Sequence, residues 1–136
     1  METSCGVVLV NLGSILLLQY PQGHWDFPKG HVEDSDTDRK GTAARELAEE
    51  TGIDDIVFVD GFEYRTAYDF RHKGKRIDKQ VYWYIAETET LQVEISHEHL
   101  EHLWLDWDSA MQQLTHHESR GVLAAAKTHM ESINRA

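Results

Sequence analysis

The chain has little of what marks several protein classes. Its 136 residues include one cysteine, Cys5, and two prolines. One cysteine cannot form an internal disulfide, and its place beside an apolar segment predicts a small buried side chain. The longest apolar runs, Val7–Val10 and Ile15–Leu18, are far shorter than the roughly 20 residues that cross a bilayer, so no membrane partner is predicted. No secretory signal opens the chain, and we expect a cytoplasmic protein.

Basic residues are also scarce. Lysine and arginine total 13 against 24 aspartate and glutamate residues, which gives a formal net charge of −11. Duplex nucleic acid is bound largely by neutralising its phosphates, so this balance argues against such a partner. A small polyphosphate needs only local positive charge, which Lys29, Arg45 and the basic segment Arg71–Arg76 can supply. We therefore expect a small-molecule ligand, and nothing in the sequence implies a protein partner.

The segment from Arg39 to Thr51 is predicted to be a helix. Its apolar residues recur at helical spacing on the side expected to be buried: Ala43, Ala44, Leu47 and Ala48. Gly52 is typical of the residue that ends a helix in the left-handed conformation. Ser35, Asp36 and Asp38 can each cap the start, so both ends of a short helix are defined.

Three glutamates share the opposite side of this helix. Glu46, Glu49 and Glu50 stand three and four residues apart, which places their carboxylates within an arc of roughly 100°. Like charges at this spacing cost a helix about 0.2–0.5 kcal/mol per pair, and a divalent cation would remove that repulsion. Carboxylates suit Mg²⁺ or Mn²⁺, and magnesium fills its remaining positions with water and phosphate. An ordinary solvated acidic face is the alternative.

The residues around this helix resemble a known family signature. Pro28-Lys29-Gly30-His31 is a predicted turn that lets the backbone approach a ligand, and the helix ends in Arg45-Glu46-Leu47-Ala48-Glu49-Glu50-Thr51-Gly52-Ile53. Gly30 followed by this run resembles the signature of the Nudix hydrolases, and the run matches it at every specified position. The resemblance implies an α/β fold, the Nudix-type α/β/α sandwich with a mixed β-sheet. The length predicts a single domain over residues 1–136.

The first half of the match departs from the signature. Asp36 stands where the family has a glutamate, and eight residues rather than seven separate it from Arg45. The extra residue falls in the loop before the helix, where an insertion leaves the three glutamates in phase. The metal prediction therefore stands. Asp36 is not placed among the site residues, because Glu33, Asp34 and Asp38 lie close enough in sequence to substitute for it.

The remaining segments predict the strands and helices that flank this site. Strands are expected at Cys5–Val10, Ile15–Gln19, Ile56–Val59, Phe62–Tyr68, Gln80–Glu87 and Leu103–Trp107. The first two form a hairpin, and Lys73-Gly74-Lys75 is a turn. Trp83 alternates with apolar residues and is expected in the core. Two further helices are expected at Ser109–Leu114 and Gly121–Ile133.

Segments outside the signature indicate which Nudix enzymes the chain resembles. His24-Trp25, Tyr82-Trp83 and Ser96-His97-Glu98-His99 together resemble the asymmetric diadenosine tetraphosphate hydrolases of the animal and archaeal type. The resemblance implies that Glu98 helps to hold metal and that Tyr82 stacks on an adenine. The predicted substrate-binding residues are Lys29, His31, Tyr82, Trp25 and His97.

The resemblance also implies the chemistry. The predicted metal ligands are Glu46, Glu49, Glu50, Glu98 and Gly30. Metal would neutralise the polyphosphate and lower the pKa of a bound water, with Lys29 on a phosphate oxygen. Glu50 is the predicted general base and Glu98 the alternative, while Glu49 supports catalysis as a ligand and Arg45 orients a neighbouring glutamate. Diadenosine tetraphosphate would give ATP and AMP.

Two other functions are open at this level. One is removal of pyrophosphate from the 5′ end of RNA, which the acidic composition disfavours. The other is a non-catalytic module that senses a nucleotide, which the complete set of signature glutamates from Arg45 to Gly52 disfavours.

Overall fold

The computed structural model describes residues 1–136. The strands are β1 (Glu2–Asn11), β2 (Ser14–Gln19), β3 (Trp25–Asp26), β4 (Lys29–His31), β5 (Ile56–Phe58), β6 (Tyr64–His72), β7 (Lys75–Thr88) and β8 (Glu101–Asp106). The helices are α1 (Arg39–Thr51), which lies between β4 and β5, and α2 (Trp107–Gln113) and α3 (His117–Ser132), which follow β8. No helix is both long enough and apolar enough to cross a membrane.

All eight strands belong to one mixed sheet with β1 and β7 at its centre. These two run parallel over nearly the whole length of β1. The other edge of β1 is divided, because Ser4 to Gly6 pair with β4 whereas Val10 and Asn11 pair with β2. Strands β5 and β6 pair antiparallel with β7, and β3 and β8 pair antiparallel with β2. The change of partner leaves the sheet open between β2 and β4.

Alternating side chains on the central strands produce two hydrophobic cores, one on each face of the sheet. On β1, Val8 and Val10 join the core that contains α2 and α3, whereas Val7 and Leu9 join the core under α1. Trp83 on β7 is buried in the first core, as expected for an apolar position. This arrangement confirms the predicted α/β/α sandwich with a mixed sheet.

Helix α1 has the predicted bounds, and its caps explain why. The side chain of Asp38, one of three candidate caps, accepts a hydrogen bond from the Gly41 N–H at 2.6 Å. Gly52 has a φ of 76°, and its N–H donates to the Ala48 carbonyl at 2.9 Å. Both ends of the helix that carries the glutamates are therefore held by short-range contacts.

Several other elements differ from their predicted bounds. Strand β6 continues past Tyr68 to His72 and β7 begins at Lys75, because polar residues continue the pairing on both sides of the predicted turn. Trp107 begins α2 instead of ending a strand, because the Asp106 carboxylate accepts a hydrogen bond from Ser109 N–H and caps the helix. Strands β3 and β4 were not predicted, since two or three residues carry no periodic pattern.

Candidate active site

An acidic cleft opens where β4, α1 and the segment 96–99 meet. Its volume is about 580 Å³. The side chains and backbone that line it include Lys29, Gly30, Glu46, Glu50, Glu98 and His99. The structure therefore brings together four of the five predicted metal-binding positions with the predicted phosphate lysine. The fifth, Glu49, does not line this cleft.

Glu50 lies at the bottom of the acidic cleft and is only 6% exposed. One carboxylate oxygen, Oε1, accepts a hydrogen bond from the Lys29 backbone N–H at 3.1 Å. Burial, and then the nearby charge of Glu46, raise the pKa of Glu50 to about 8. A buried carboxylate is costly as an anion unless a cation stabilises it, and neither lysine nor arginine forms a salt bridge with Glu50. A bound cation or a transferred proton would therefore neutralise the negative charge of Glu50 and stabilise it in this environment.

His99 covers the other side of Glu50. Its Nε2 lies 3.4 Å from Glu50 Oε2 and has no hydrogen-bond partner, while its Nδ1 lies 3.1 Å from Ser96 Oγ. Burial lowers the pKa of His99. Since the pKa of Glu50 is raised, both shifts favour the uncharged forms, and the contact is not an ion pair. The Tyr20 ring packs edge-on against the imidazole with centroids 4.7 Å apart, which fixes its position.

Gly30 leaves room for Glu46. A Cβ atom at Gly30 would lie 1.9 Å from the Glu46 carboxyl carbon and 2.0 Å from its Oε2, so any other residue here would displace this carboxylate. The Gly30 backbone is not in the left-handed region, and the requirement for glycine is therefore steric. Burial, the largest effect, raises the pKa of Glu46 against the opposing hydrogen bond from Arg45.

Arg45 joins the loop before α1 to the glutamates on it. Its Nε and one terminal nitrogen donate to the two oxygens of Asp36 at 2.9 and 3.0 Å, and the other terminal nitrogen donates to Glu46 at 2.9 Å and to Glu49 at 3.2 Å. The guanidinium hydrogen bonds hold the pKa of Asp36 well below its usual range. Asp36 also accepts from the Glu33 N–H, so it anchors the inserted loop. Asp36 thus has a structural role that the sequence did not indicate.

The donor set suits a hydrated divalent cation better than a closed protein cage. No three histidine, cysteine, aspartate or glutamate side chains converge into a preformed cluster. Glu46 and Glu50 nevertheless face the same space, and Glu98 is exposed at its edge. Mg²⁺ commonly takes one or two carboxylates and keeps several waters, so these oxygens fit it. Glu49 is turned towards Arg45, and its side chain is 57% exposed.

A second cavity, the hairpin cavity, adjoins the acidic cleft and has a volume of about 650 Å³. Its lining includes His24, Tyr68, Phe70, Lys79, Trp83 and His116. Lys29, Lys79 and Gln22 line both cavities, so two cationic side chains stand at their junction. Burial, and then the charge of Lys29, lower the pKa of Lys79. An anion placed between the two ammonium groups would stabilise both.

Two predicted substrate-binding residues, Tyr82 and Trp25, are not brought to these cavities. Tyr82 lies on the α1 face of β7, where the Arg39 guanidinium carbon stands 3.7 Å from its ring centroid. Tyr82 therefore faces away from the hairpin cavity, because its neighbours Val81 and Trp83 line that cavity from the opposite face of the strand. Trp25 packs against the core under α2 and α3 and lines neither cavity.

The two remaining predicted substrate-binding residues lie at the surface. His31 lines the acidic cleft, and its side chain is 63% exposed, with Nε2 3.7 Å from Glu2 Oε1. His97 is exposed and lines neither cavity. In the same segment it is His99, two residues later, that contacts Glu50.

Several residues that face the cavities were not among the predicted site residues, including Tyr20, Tyr68, Lys79 and His99. His99 had a signal, since it belongs to the segment that was identified by resemblance. Tyr68 was assigned to a half-exposed strand without a choice of face. Lys79 lay outside the predicted limits of β7, and Tyr20 follows an apolar strand with no motif around it. Only strand pairing and packing between distant parts of the chain bring these four side chains to the site.

Comparison with known proteins agrees with this geometry. The family model for the NUDIX domain matches residues 2–126, so the chain belongs to the Nudix family. The asymmetrical bis(5′-nucleosyl)-tetraphosphatase of Rattus norvegicus is 40% identical over 114 residues, which cover 79% of this chain and 74% of that protein. The predicted family is confirmed, as is the prediction of a Nudix hydrolase.

Two further matches extend the comparison. The structure of a C. elegans Ap4A hydrolase binary complex superposes with a TM-score of 0.84 at 26% identity, covering 97% of this chain and 99% of that one. An RNA pyrophosphohydrolase of Caulobacter vibrioides is 35% identical over 95 residues, which cover 61% of this chain and 54% of that protein. Nudix hydrolases generally use divalent metal ions, in agreement with the carboxylate donors of the acidic cleft.

Proposed function

We propose that this protein hydrolyses dinucleoside polyphosphates asymmetrically, converting diadenosine tetraphosphate to ATP and AMP with Mg²⁺ or Mn²⁺. One observation carries the proposal: two carboxylates, the buried Glu50 and the partly exposed Glu46, are connected through Lys29 and Lys79 to a cavity with exposed aromatic side chains. The carboxylates match a metal ion, the lysines match the polyphosphate, and the aromatic rings match the adenine base of the substrate. The similarity to the rat tetraphosphatase and to the C. elegans Ap4A hydrolase supports the same substrate.

In this proposal Glu46, Glu50 and Glu98 hold the metal, which neutralises phosphate charge and activates water when bound. Lys29 and Lys79 bind the polyphosphate at the junction of the two cavities. The adenine stacks on Tyr68, whose ring faces the hairpin cavity. Arg45 holds Glu46 in place and is fixed in turn by Asp36, so it positions a ligand without touching substrate.

Glu50 is the proposed general base. Burial raises the pKa of Glu50 to about 8, and a cation held beside it would keep the carboxylate ionised and able to accept the proton of the attacking water. The hydrogen bond from the Lys29 N–H and the contact with His99 hold both carboxylate oxygens in one orientation. Glu98, which is exposed on a loop, is the alternative base. Water attacks the phosphorus of the AMP group, its proton passes to the base, and the bond to the bridging oxygen breaks as ATP leaves.

Product analysis over a substrate panel tests this function. The panel contains diadenosine tetraphosphate, ADP-ribose, ATP and 5′-triphosphorylated RNA, each assayed with Mg²⁺, with Mn²⁺ and with excess chelator. We expect kcat/KM for diadenosine tetraphosphate to exceed that for ADP-ribose by at least about a hundredfold, or roughly 2.7 kcal/mol of transition-state binding. In oxygen-18 water the label should enter AMP and not ATP. Label in ATP would reverse the site of attack, and faster turnover of another substrate would overturn the assignment.

A single domain over residues 1–136 and a cytoplasmic location complete the proposal. They are supported by one mixed sheet that includes every strand and by the single buried cysteine, Cys5.

A further inference from the structure

The segment before β8 closes the C-terminal end of α1. The last carbonyl groups of a helix have no partner within it, and here the Glu50 carbonyl accepts a hydrogen bond from the Ser96 N–H at 3.1 Å. At the other end of this segment, the Leu100 N–H donates to the carbonyl of Gln19 in β2 at 2.9 Å. Residues 96–100 are therefore tied both to the helix that carries the glutamates and to the sheet.

Ser96 uses every polar atom it has to build the turn in this segment. Its carbonyl accepts from the His99 N–H at 3.1 Å, and its hydroxyl accepts from the Glu98 N–H at 3.3 Å. The same hydroxyl oxygen lies 3.1 Å from His99 Nδ1. A serine hydroxyl often stabilises a turn by accepting from the N–H two residues later. Here it also contacts an imidazole, so it links the two residues of the turn that line the acidic cleft.

The position of Glu98 depends on this turn. Glu98 is exposed and lines the acidic cleft, and its side chain forms no hydrogen bond or salt bridge within the protein. Its backbone N–H is held by the Ser96 hydroxyl. A ligand on a loose turn would lose more conformational entropy when it binds a cation than one whose backbone is already fixed. The Ser96 hydroxyl therefore determines how well Glu98 is placed for metal.

The orientation of the His99 ring depends on the same hydroxyl. A half-turn of the ring about its bond to Cβ would exchange its nitrogens for carbons and turn a C–H towards Glu50 in place of Nε2. The edge-on contact with Tyr20 fixes the plane of the ring but does not distinguish these two orientations. A hydroxyl can donate or accept, so Ser96 Oγ can bond to Nδ1 in either tautomer of the neutral ring. Ser96 thus keeps Nε2 on the side of Glu50.

We propose that Ser96 is a positioning residue for the proposed metal site, because its hydroxyl fixes the turn that presents Glu98 and selects the His99 orientation that places Nε2 against Glu50. Ser96 acts on both carboxylates through its neighbours and touches neither metal nor substrate. This inference rests on the proposed function, since it assumes that Glu50 and Glu98 bind the metal. Groups that orient metal ligands typically change metal affinity or activity by about 10- to 100-fold.

Binding of Mn²⁺ alone, measured by calorimetry without substrate, tests the proposal independently of turnover. We expect Ser96→Ala to weaken Mn²⁺ binding about tenfold, whereas Ser96→Thr, which keeps the hydroxyl, should stay within about twofold of the wild type. Thermal unfolding would check that both variants are folded. Unchanged affinity in Ser96→Ala would overturn the proposal, and so would equal losses in the two variants, because the hydroxyl would then not be the cause.

Thr88→Val is the matched control. The Thr88 hydroxyl also accepts from the N–H two residues later, that of Thr90, at 3.1 Å, and it donates to Asp55 at 3.2 Å. It lies at the end of β7 away from the cleft, nine residues or roughly 30 Å beyond Lys79. Removing it should lower the melting temperature and leave Mn²⁺ affinity within about twofold. A loss of affinity equal to that of Ser96→Ala would indicate general loosening and refute a local role for Ser96.

A double-mutant cycle identifies the route by which Ser96 acts. In a Glu98→Gln background, Ser96→Ala should weaken Mn²⁺ binding by no more than about threefold, because residues that act through one another are not additive. An undiminished loss would show that the hydroxyl does not act through Glu98 and would overturn the proposal. If Mn²⁺ binding responds as expected but the wild type does not cleave diadenosine tetraphosphate, the proposed hydrolysis fails while the role of Ser96 stands.

Discussion

Replacing Gly30 by alanine tests the arrangement of the acidic cleft with one added carbon. The new Cβ would lie 1.9 Å from the Glu46 carboxyl carbon and 2.5 Å from its Cγ, whereas ordinary contacts begin at 3.4 Å. Glu46 must therefore retreat by about 1.5 Å, because the neighbouring backbone of β4 is fixed by pairing with β1. Misplacing an active-site group by about 1 Å can cost about a hundredfold in rate, which corresponds to roughly 2.7 kcal/mol.

We expect Gly30→Ala to lower kcat/KM for diadenosine tetraphosphate by about 10- to 100-fold and to raise the metal concentration needed for half-maximal activity. Circular dichroism and thermal unfolding would check that the variant is folded. Gly121→Ala is the matched control: it lies in α3, where the added Cβ would be 3.7 Å from the Tyr64 hydroxyl, so it should add about 0.4–1 kcal/mol of stability without changing kcat/KM. If Gly30→Ala keeps both kcat/KM and the metal concentration for half-maximal activity within twofold of the wild type, the reaction does not depend on the exact position of Glu46.

Three further predictions follow from the site. In chelator, the melting temperature should fall as pH rises from about 4.5 to 8. The folded-state pKa of Glu50 is above its unfolded-state pKa, so the stability that the protonated carboxyl contributes at low pH is lost as the carboxyl ionises. Glu50→Gln should flatten this decline, and an unchanged slope in the variant would contradict the prediction. Excess Mg²⁺ should raise the melting temperature of the wild type in proportion to ln(1 + [Mg²⁺]/Kd), and an equal rise in Glu50→Gln would place the ion elsewhere. Tyr68→Ala should raise KM for diadenosine tetraphosphate about tenfold with kcat nearly unchanged, whereas Tyr82→Ala should not change KM; the reverse pattern would restore Tyr82 to the site.

Local signals accounted for the parts of the site that the sequence predicted. Helix α1 begins and ends where its caps are, and the signature glutamates lie one helical turn apart, so their spacing alone brought Glu46 and Glu50 to one side. The same spacing gave no information on burial. It assigned Glu50 to the solvent side, yet Glu50 is buried because His99 and the backbone of Lys29 cover it from outside the helix.

Long-range pairing decided the parts that the sequence did not predict. Alternation along β7 separates Tyr82 from Trp83 but does not state which face borders a cavity. That choice depends on α1, which covers the Tyr82 face, and on β6, whose side chains line the cavity on the other face. Asp36 was left without a role for a similar reason, since its partner Arg45 is nine residues away across an irregular loop.

The divided edge of β1 has a consequence for how this scaffold can diverge. β4 and β2 pair with different stretches of that edge, so the connection between them, which carries Tyr20 and His24, bridges a gap in the sheet. Residues 21–23, the outer turn of this connection, pair with no strand. Loops absorb extra length at little entropic cost, whereas a one-residue slip within a strand would turn its side chains to the wrong face. Insertions at residues 21–23 would therefore reshape the entrance for larger leaving groups while the carboxylates on α1 keep their positions. Changes in this one loop can therefore alter which substrates fit, without a compensating change in either hydrophobic core.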